Sequence, residues 1–345
     1  MEIFALYGLI FAFLTIKSEI FKQKTVIFSK FDSLALKGFF AIIIILHHLG
    51  HQFDLGVFSA FNAKMGGVAI GIFFLLSAYG LLKSCEQNDY KYLKRLFVTK
   101  ILKLYLFQVA INFLYYLILK PSGTTIEVLI RIFNFDIFFG LGRINDFSWF
   151  TTTILFCYLG IALSLIATVM FKIKNKKIFL GVAVIFTTLV IGICLYLFPA
   201  SNIYTRCLCG FILGAILFML ENKVLNILAN KTTFICLVTS FSLLTILGII
   251  LLSEELTTIF ACLLLVTAFK YVSLDNNKLG LFLGKISLPV YLMQYIFFVK
   301  IAKTNIWLYS FYIIAGTVIS AIIITFMYEL TKKAIIGIKN SLSKK

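Results

Sequence analysis

Apolar runs recur along the whole chain, each long enough to approach or cross the roughly 30 Å hydrocarbon layer of a bilayer, and short basic segments separate them. The runs are continuous and do not alternate with polar positions. Hydrocarbon leaves every backbone N–H and C=O to be paired within the protein, so continuous runs predict helices and not a barrel. The pattern predicts spans near residues 2–16, 34–50, 66–83, 101–119, 149–171, 178–198, 203–220, 233–252, 257–272, 286–300 and 307–329. The expected fold class is therefore all-α, a polytopic transmembrane bundle of ten core helices preceded by one additional, shorter N-terminal helix. The basic residues follow the first run and no A-x-A-like site ends it, so it is expected to be an anchor and not a cleaved signal.

Composition agrees with that picture. The 345 residues are 61% hydrophobic and 13% charged, with a mean hydropathy of +1.03, and only three prolines occur. No Gly-, Ser- or Pro-rich linker marks a fused soluble domain. The expected organisation is an anchor and linker over 1–30, a membrane domain over 31–335 and a basic tail over 336–345. A formal charge of +18 raises nucleic acid as a partner, but the lysines lie in short loops between apolar runs and form no basic soluble face. The expected partner is the bilayer, with no nucleic acid. Of the 32 Lys and Arg, 24 fall on one side of the alternating topology and six on the other, with Lys37 and Arg206 inside spans. The positive-inside rule then predicts a multi-pass cell-membrane protein with its C-terminus, Ser343-Lys344-Lys345, in the cytoplasm. The seven cysteines are scattered in apolar segments and give no disulfide framework; Cys207 and Cys209 read as small buried hydrophobes.

Ionisable groups are expensive in hydrocarbon, so those that interrupt the runs mark candidate chemistry. All three histidines, His47, His48 and His51, fall within five residues at the outer end of the second span. Lys37 stands eleven residues before His48, which at about 100° per residue returns to the same helix face after a rise of about 16 Å. A cation near the inner face suits a phosphorylated ligand, and an imidazole deeper in the bundle suits general-base work. His47 and His51 have the i, i+4 spacing of a zinc pair, but nothing completes a set, so no metal is expected. Ser287, Tyr291 and Gln294 form an i, i+4, i+7 polar stripe expected to line a cavity. Trp149 opens an outer-side helix, close to Arg143 and Asp146, which are candidates for sugar binding.

These residues together resemble acyltransferase family 3, the ten-helix membrane acyltransferases of cell-surface glycans. The resemblance begins with the basic residue and histidine of KGFFAIIIILHH, Lys37 and His48, and continues in GVAIGIFFLLSAYGLL, which places Phe73, Phe74 and Ser77. TKILKLY is similar to a basic-x-x-basic stretch, with Lys100 and Lys103 at its two positions. Trp149 in SWFTTTILFCY, then RCLCGFILGAILF and LGKISLPVYLMQY follow in order. Lysines replace arginines at three positions, Ala78 replaces a glycine, and Gln294 stands where a histidine is common.

The resemblance implies O-acyl transfer, acetyl above all, from cytoplasmic acyl-CoA to a hydroxyl of a cell-surface glycan or lipid-linked sugar, with no permanently bound cofactor. It implies donor binding by Lys37, Lys100 and Lys103 and catalysis by His48 as base or acyl carrier. His47, His51 and Ser77 are supporting candidates, and Trp149, Ser287, Tyr291 and Gln294 are cavity or acceptor candidates. The chain is expected to act alone or with a separate extracytoplasmic partner. A transporter or flippase for a polar glycan precursor is the competing reading, since it also needs a polar cavity, although no internal repeat supports it.

Overall fold

The computed structural model describes residues 2–15, 18–20, 24–53, 55–88, 91–198, 202–251, 253–303 and 305–342, so Ser343, Lys344 and Lys345 of the expected tail lie outside the described residues. The helices in chain order are α1 (Glu2–Thr15), α2 (Lys30–Gly50), α3 (Ser59–Asn88), α4 (Lys91–Leu96), α5 (Lys103–Leu119), α6 (Thr125–Ile132), α7 (Asp136–Phe139) and α8 (Trp149–Met170). They continue with α9 (Lys176–Tyr196), α10 (Asn202–Thr205), α11 (Leu208–Ile227), α12 (Lys231–Ile250), α13 (Glu254–Ala268), α14 (Lys278–Lys300) and α15 (Ile306–Leu342). A wide, π-helical stretch, Phe97–Leu102, joins α4 to α5. The only strands among the described residues are a two-residue antiparallel pair, β1 (Glu19–Ile20) with β2 (Val272–Ser273). The fold is an all-α polytopic bundle.

Helices stand at all eleven expected positions, and nine among the described residues are long and apolar enough to cross a membrane. The two shorter ones are α1 and α13, at 14 and 15 residues, or about 21 and 22 Å. Several helices outrun their apolar stretches: α3 starts at Ser59 and α14 at Lys278. Backbone hydrogen bonding extends a helix past the hydrophobic segment until a cap stops it. At α14 the stop is Asn277, whose side chain accepts from the Gly280 N–H.

The bundle closes through glycines. A Cβ on Gly284 of α14 would lie 2.0 Å from the Leu34 carbonyl oxygen, and one on Gly38 of α2 would lie 2.5 Å from the Gly284 nitrogen. The α2 and α14 backbones therefore touch directly, the close approach that small residues allow between membrane helices. Gly210 of α11 meets the Gly71 backbone of α3 in the same way. At one end, Asp32 is fully buried and accepts from Lys24 Nζ at 2.5 Å and from the Leu274 N–H at 2.7 Å, which ties the segment before α2 to the strand pair.

One element was not expected. After α5 the chain doubles back along it: the Asn112 amide donates to the Ile132 carbonyl at 3.2 Å and Tyr105 Oη to the Phe133 carbonyl at 3.2 Å. These side chains satisfy carbonyls that the end of α6 leaves unpaired. Ile126, Leu129, Phe133, Phe135, Phe138 and Phe139 face outward, while Asp136 turns inward to Tyr204.

Candidate functional site

Two polar cavities lie along the same helices. The first, about 420 Å³, is bounded by Leu34, Lys100, Lys103, Tyr158, Lys285, Ser287 and Glu329, among others. The second, about 380 Å³, is bounded by Ile44, His47, His48, Gly66, Gly67, Arg143, Asp146, Phe147, Trp149, Arg206, Cys207, Glu254 and Tyr291. Helices α2, α8 and α14 each contribute to both, through Leu34 and His48, Tyr158 and Trp149, and Ser287 and Tyr291. Ser287 and Tyr291 are one helical turn apart, so on α14 the cavity linings are separated by a rise of about 6 Å.

In the lysine cavity the wide turn before α5 carries Lys100, and Lys103 follows it with its ammonium 4.6 Å from the centre of the Tyr328 ring. Lys37 does not line this cavity but stands behind it, donating to Ser77 Oγ at 3.3 Å, with Lys100 close enough for its charge to act on it. The structure thus brings together Lys37, Ser77, Lys100 and Lys103. It places Ser77 with Lys37 and not with the histidines. Lys285, which sequence reasoning passed over within LGKISLP, adds a further cation.

In the histidine cavity the His48 ring stacks on Phe147, centroids 4.1 Å apart and planes 19° apart, with Phe298 edge-on at 6.0 Å. The His47 ring is 5.0 Å from His48 and hydrogen bonds through Nδ1 to the Asn62 carbonyl at 2.7 Å. His51, at the end of α2, is exposed and stands edge-on to His47 at 4.5 Å without lining the cavity. Trp149 is buried and lines the cavity, T-shaped against Phe150. No cluster of three His, Cys, Asp or Glu suited to a metal occurs among the described residues.

The polar stripe of α14 divides. Ser287 lines the lysine cavity and Tyr291 the histidine cavity, whereas Gln294 lines neither and donates to the Tyr291 carbonyl of its own helix at 2.9 Å. Around Gln294 the α14 backbone is held by other side chains. Tyr115 Oη donates toward the Leu292 and Met293 carbonyls and accepts from the Ile296 N–H, and the Asn145 amide donates to Leu292 at 3.0 Å.

Opposite the histidines, α10 and α11 are interrupted at Arg206 and Cys207, where Cys207 takes a left-handed φ of 62°. Irregular backbone within a membrane span is tolerated where it borders a polar cavity, as it does here. Glu254, at the start of α13, faces the same space, its carboxylate where a Cβ on Gly67 would fall. Arg143 lies 5.5 Å from the Tyr204 ring, and Tyr204 Oη donates to Asp136 at 3.3 Å. Sequence reasoning found Arg143 and Asp146 but missed Asn62, Phe147 and Glu254. Phe147 and Glu254 sit beside helix starts, and Asn62 precedes the apolar part of α3.

The site has titratable, aromatic and cationic groups in two adjoining compartments of a membrane bundle, an arrangement suited to a ligand that is charged at one end and reactive at the other. No curated protein and no solved structure matches the chain. The family model described as an acyltransferase domain, acyltransferase family 3, matches residues 32–327, nearly the whole chain, and takes in both cavities. The chain belongs to that family and is a multi-pass membrane acyltransferase.

Proposed function

We propose that the protein moves an acetyl group from cytoplasmic acetyl-CoA to a hydroxyl of an extracytoplasmic glycan or lipid-linked sugar. The observation that carries this reading is the pair of cavities built on the same three helices, with lysines at one end and histidines at the other. Lys100 and Lys103, with Lys37 and Lys285 beside them, offer charge-assisted hydrogen bonds to the phosphates of a nucleotide. The rise of about 16 Å from Lys37 to His48 matches an extended pantetheine arm, which would carry the thioester past Ser77 and Tyr291 to the histidines. The donor then reaches the outer compartment without crossing the membrane.

There His48 takes the proton of the attacking hydroxyl or carries the acyl group between donor and acceptor. Trp149 and Tyr291 provide aromatic faces for a sugar ring, and Arg143, Asp146, Arg206 and Glu254 provide hydrogen-bonding groups for its hydroxyls. Membership in an acyltransferase family decides against the transporter reading.

The test is reconstitution in liposomes with radiolabelled acetyl-CoA and candidate acceptor glycans. Wild type is expected to consume acetyl-CoA, and His48→Ala to lose about 10²- to 10⁴-fold of that turnover, the usual worth of a positioned base or more. Turnover retained in His48→Ala, or a wild type that neither binds nor consumes acyl-CoA, overturns the reading.

A further inference from the structure

Helix α1 lies outside the matched residues 32–327 and lines neither cavity, yet through Asn62 it is linked to His47 of the histidine cavity. Its Ile3 and Tyr7, one turn apart, are buried, and Leu9 and Phe13 face outward. Tyr7 packs edge-on to Phe61 and its hydroxyl donates to the side-chain oxygen of Asn62 at 2.9 Å. Asn62 is 2% exposed. Its amide nitrogen donates to the His47 carbonyl at 3.0 Å, and its own backbone carbonyl meets His47 Nδ1 at 2.7 Å. One residue therefore grips His47 by both backbone and ring, and α1 holds that residue.

The grip has a chemical consequence. A carbonyl oxygen can only accept, so Nδ1 must carry the proton of this bond, and in the neutral ring Nε2 is left with its lone pair. Nε2 lies over Gly66, a cavity-lining position: a Cβ there would fall 2.5 Å from Nε2. Gly50 performs the same service for the anchor, since a Cβ there would fall 2.3 Å from Asn62 Cγ. Both glycines leave room for polar side chains that alanine would displace. An imidazole with one nitrogen fixed to a carbonyl and the other open to a cavity is the arrangement of an oriented base. His48, stacked on Phe147, is held flat by ring contact and sits 5.0 Å away.

We propose that His47 is a second base of the histidine cavity and that α1, through Tyr7 and Asn62, is the element that positions it. The inference rests on the acyl-transfer reading and divides its chemistry between the two rings. His48 takes the acyl group from the thioester, its nitrogen bonding to the acyl carbon as the carbon–sulfur bond breaks and coenzyme A leaves as the thiol with the proton of the His48 ring; His47 Nε2 then accepts the proton of the acceptor hydroxyl as its oxygen bonds to the acyl carbon. The bond from that carbon to the His48 nitrogen breaks, and the proton passes from His47 to the departing nitrogen. Both rings return to their starting state. Tyr7 and Asn62 are positioning residues.

The experiment has one arm without substrate and one with it. In nanodiscs containing protein with ¹⁵N-labelled histidine, His47, assigned by its loss in His47→Gln, is expected to show a protonated Nδ1 and an unprotonated Nε2, and Asn62→Ala, which keeps the carbonyl that Nδ1 donates to but removes the amide that holds the His47 backbone, is expected to shift the His47 resonances while leaving the proton on Nδ1. In the turnover assay, Tyr7→Phe is expected to lower kcat roughly tenfold with KM unchanged, as a misplaced catalytic group does, and His47→Gln to lower it about 10²-fold or more. Rapid quenching of His47→Gln is expected to trap labelled acyl group on the protein, which His48→Ala does not. Leu9→Ala, on the outward face of α1, controls for disturbing the helix and is expected to keep wild-type kcat. A His47 whose Nδ1 is unprotonated overturns the inference even if no substrate turns over. So does a Tyr7→Phe protein with wild-type kcat in an active preparation. A wild type that fixes the expected tautomer but transfers no acyl group sinks the acyl-transfer reading and leaves the positioning by α1 standing.

Discussion

The crossing of α2 and α14 sets the distance between the parts of the lysine cavity, and Gly284→Ala perturbs it with a single methyl. That methyl would sit 2.0 Å from the Leu34 carbonyl oxygen, where ordinary contact needs about 3.2 Å or more. The obstacle is backbone, so no side chain can swing aside, and the helices must part by about 1 Å. Overpacking of this kind costs about 1–3 kcal/mol. Leu34 and Gly284 both line the lysine cavity, with Lys285 and Ser287 beside them, so the shift also displaces the cations proposed to hold the donor. A 1 Å misplacement is worth up to about 10²-fold in rate. The expected result is a lower Tm in detergent or nanodiscs together with a raised KM for acyl-CoA. Gly80→Ala on α3 is the matched control, because nothing lies within 4 Å of a Cβ there and the helix gains about 0.5–1 kcal/mol from the exchange. If Gly284→Ala kept both the Tm and the donor KM of wild type, the direct backbone contact would not be what spaces the lysine cavity.

Three further outcomes follow from buried polar groups. Asn112→Leu removes the donor to the Ile132 carbonyl and is expected to cost about 1–3 kcal/mol, read as increased protease cutting in the 125–139 segment; unchanged cutting counts against the doubling back of α6 along α5. Glu221→Leu leaves the Ile27 N–H and the Tyr79 O–H without an acceptor and takes the counter-charge, 2.9 Å away, from Lys83. Because Lys83 is 24% exposed, the loss is expected at the lower end of the buried-pair range, about 3 kcal/mol in thermal unfolding, and a loss below about 1 kcal/mol would refute it. Burial raises the Asp136 carboxyl above its ordinary value, against the opposing pull of Arg143 and Tyr204. Its ionisation therefore costs more in the folded than in the unfolded chain, so its contribution declines as pH rises from the unfolded value of about 3.9 through the raised one. Asp136→Asn is expected to flatten that part of the stability-pH curve, and an unchanged slope would show that the carboxyl does not titrate there.

Hydropathy made the bundle legible because the membrane imposes one rule on every span, and the helices stand where the apolar runs lie. It could not show where helices run beyond those runs, as α3 does through Asn62, since a polar residue ahead of an apolar stretch reads as loop until the backbone bonds are seen. It also could not show α6, whose eight residues are too few to cross and whose orientation depends on Asn112 and Tyr105 of another helix. The candidate site divides along the same line. Lys37 and His48 were visible because both lie on one helix, whose geometry is periodic and needs no partner to be known. Asn62, Phe147, Glu254 and Tyr7 come from four other segments, and their convergence on the histidines is a product of packing. Tyr7 is the extreme case: an ordinary tyrosine in a short apolar run, outside the family match, is linked to His47 only because Asn62 stands between them. The resemblance carried by KGFFAIIIILHH directs attention to one histidine of the pair, and the hydrogen bonds direct it to the other.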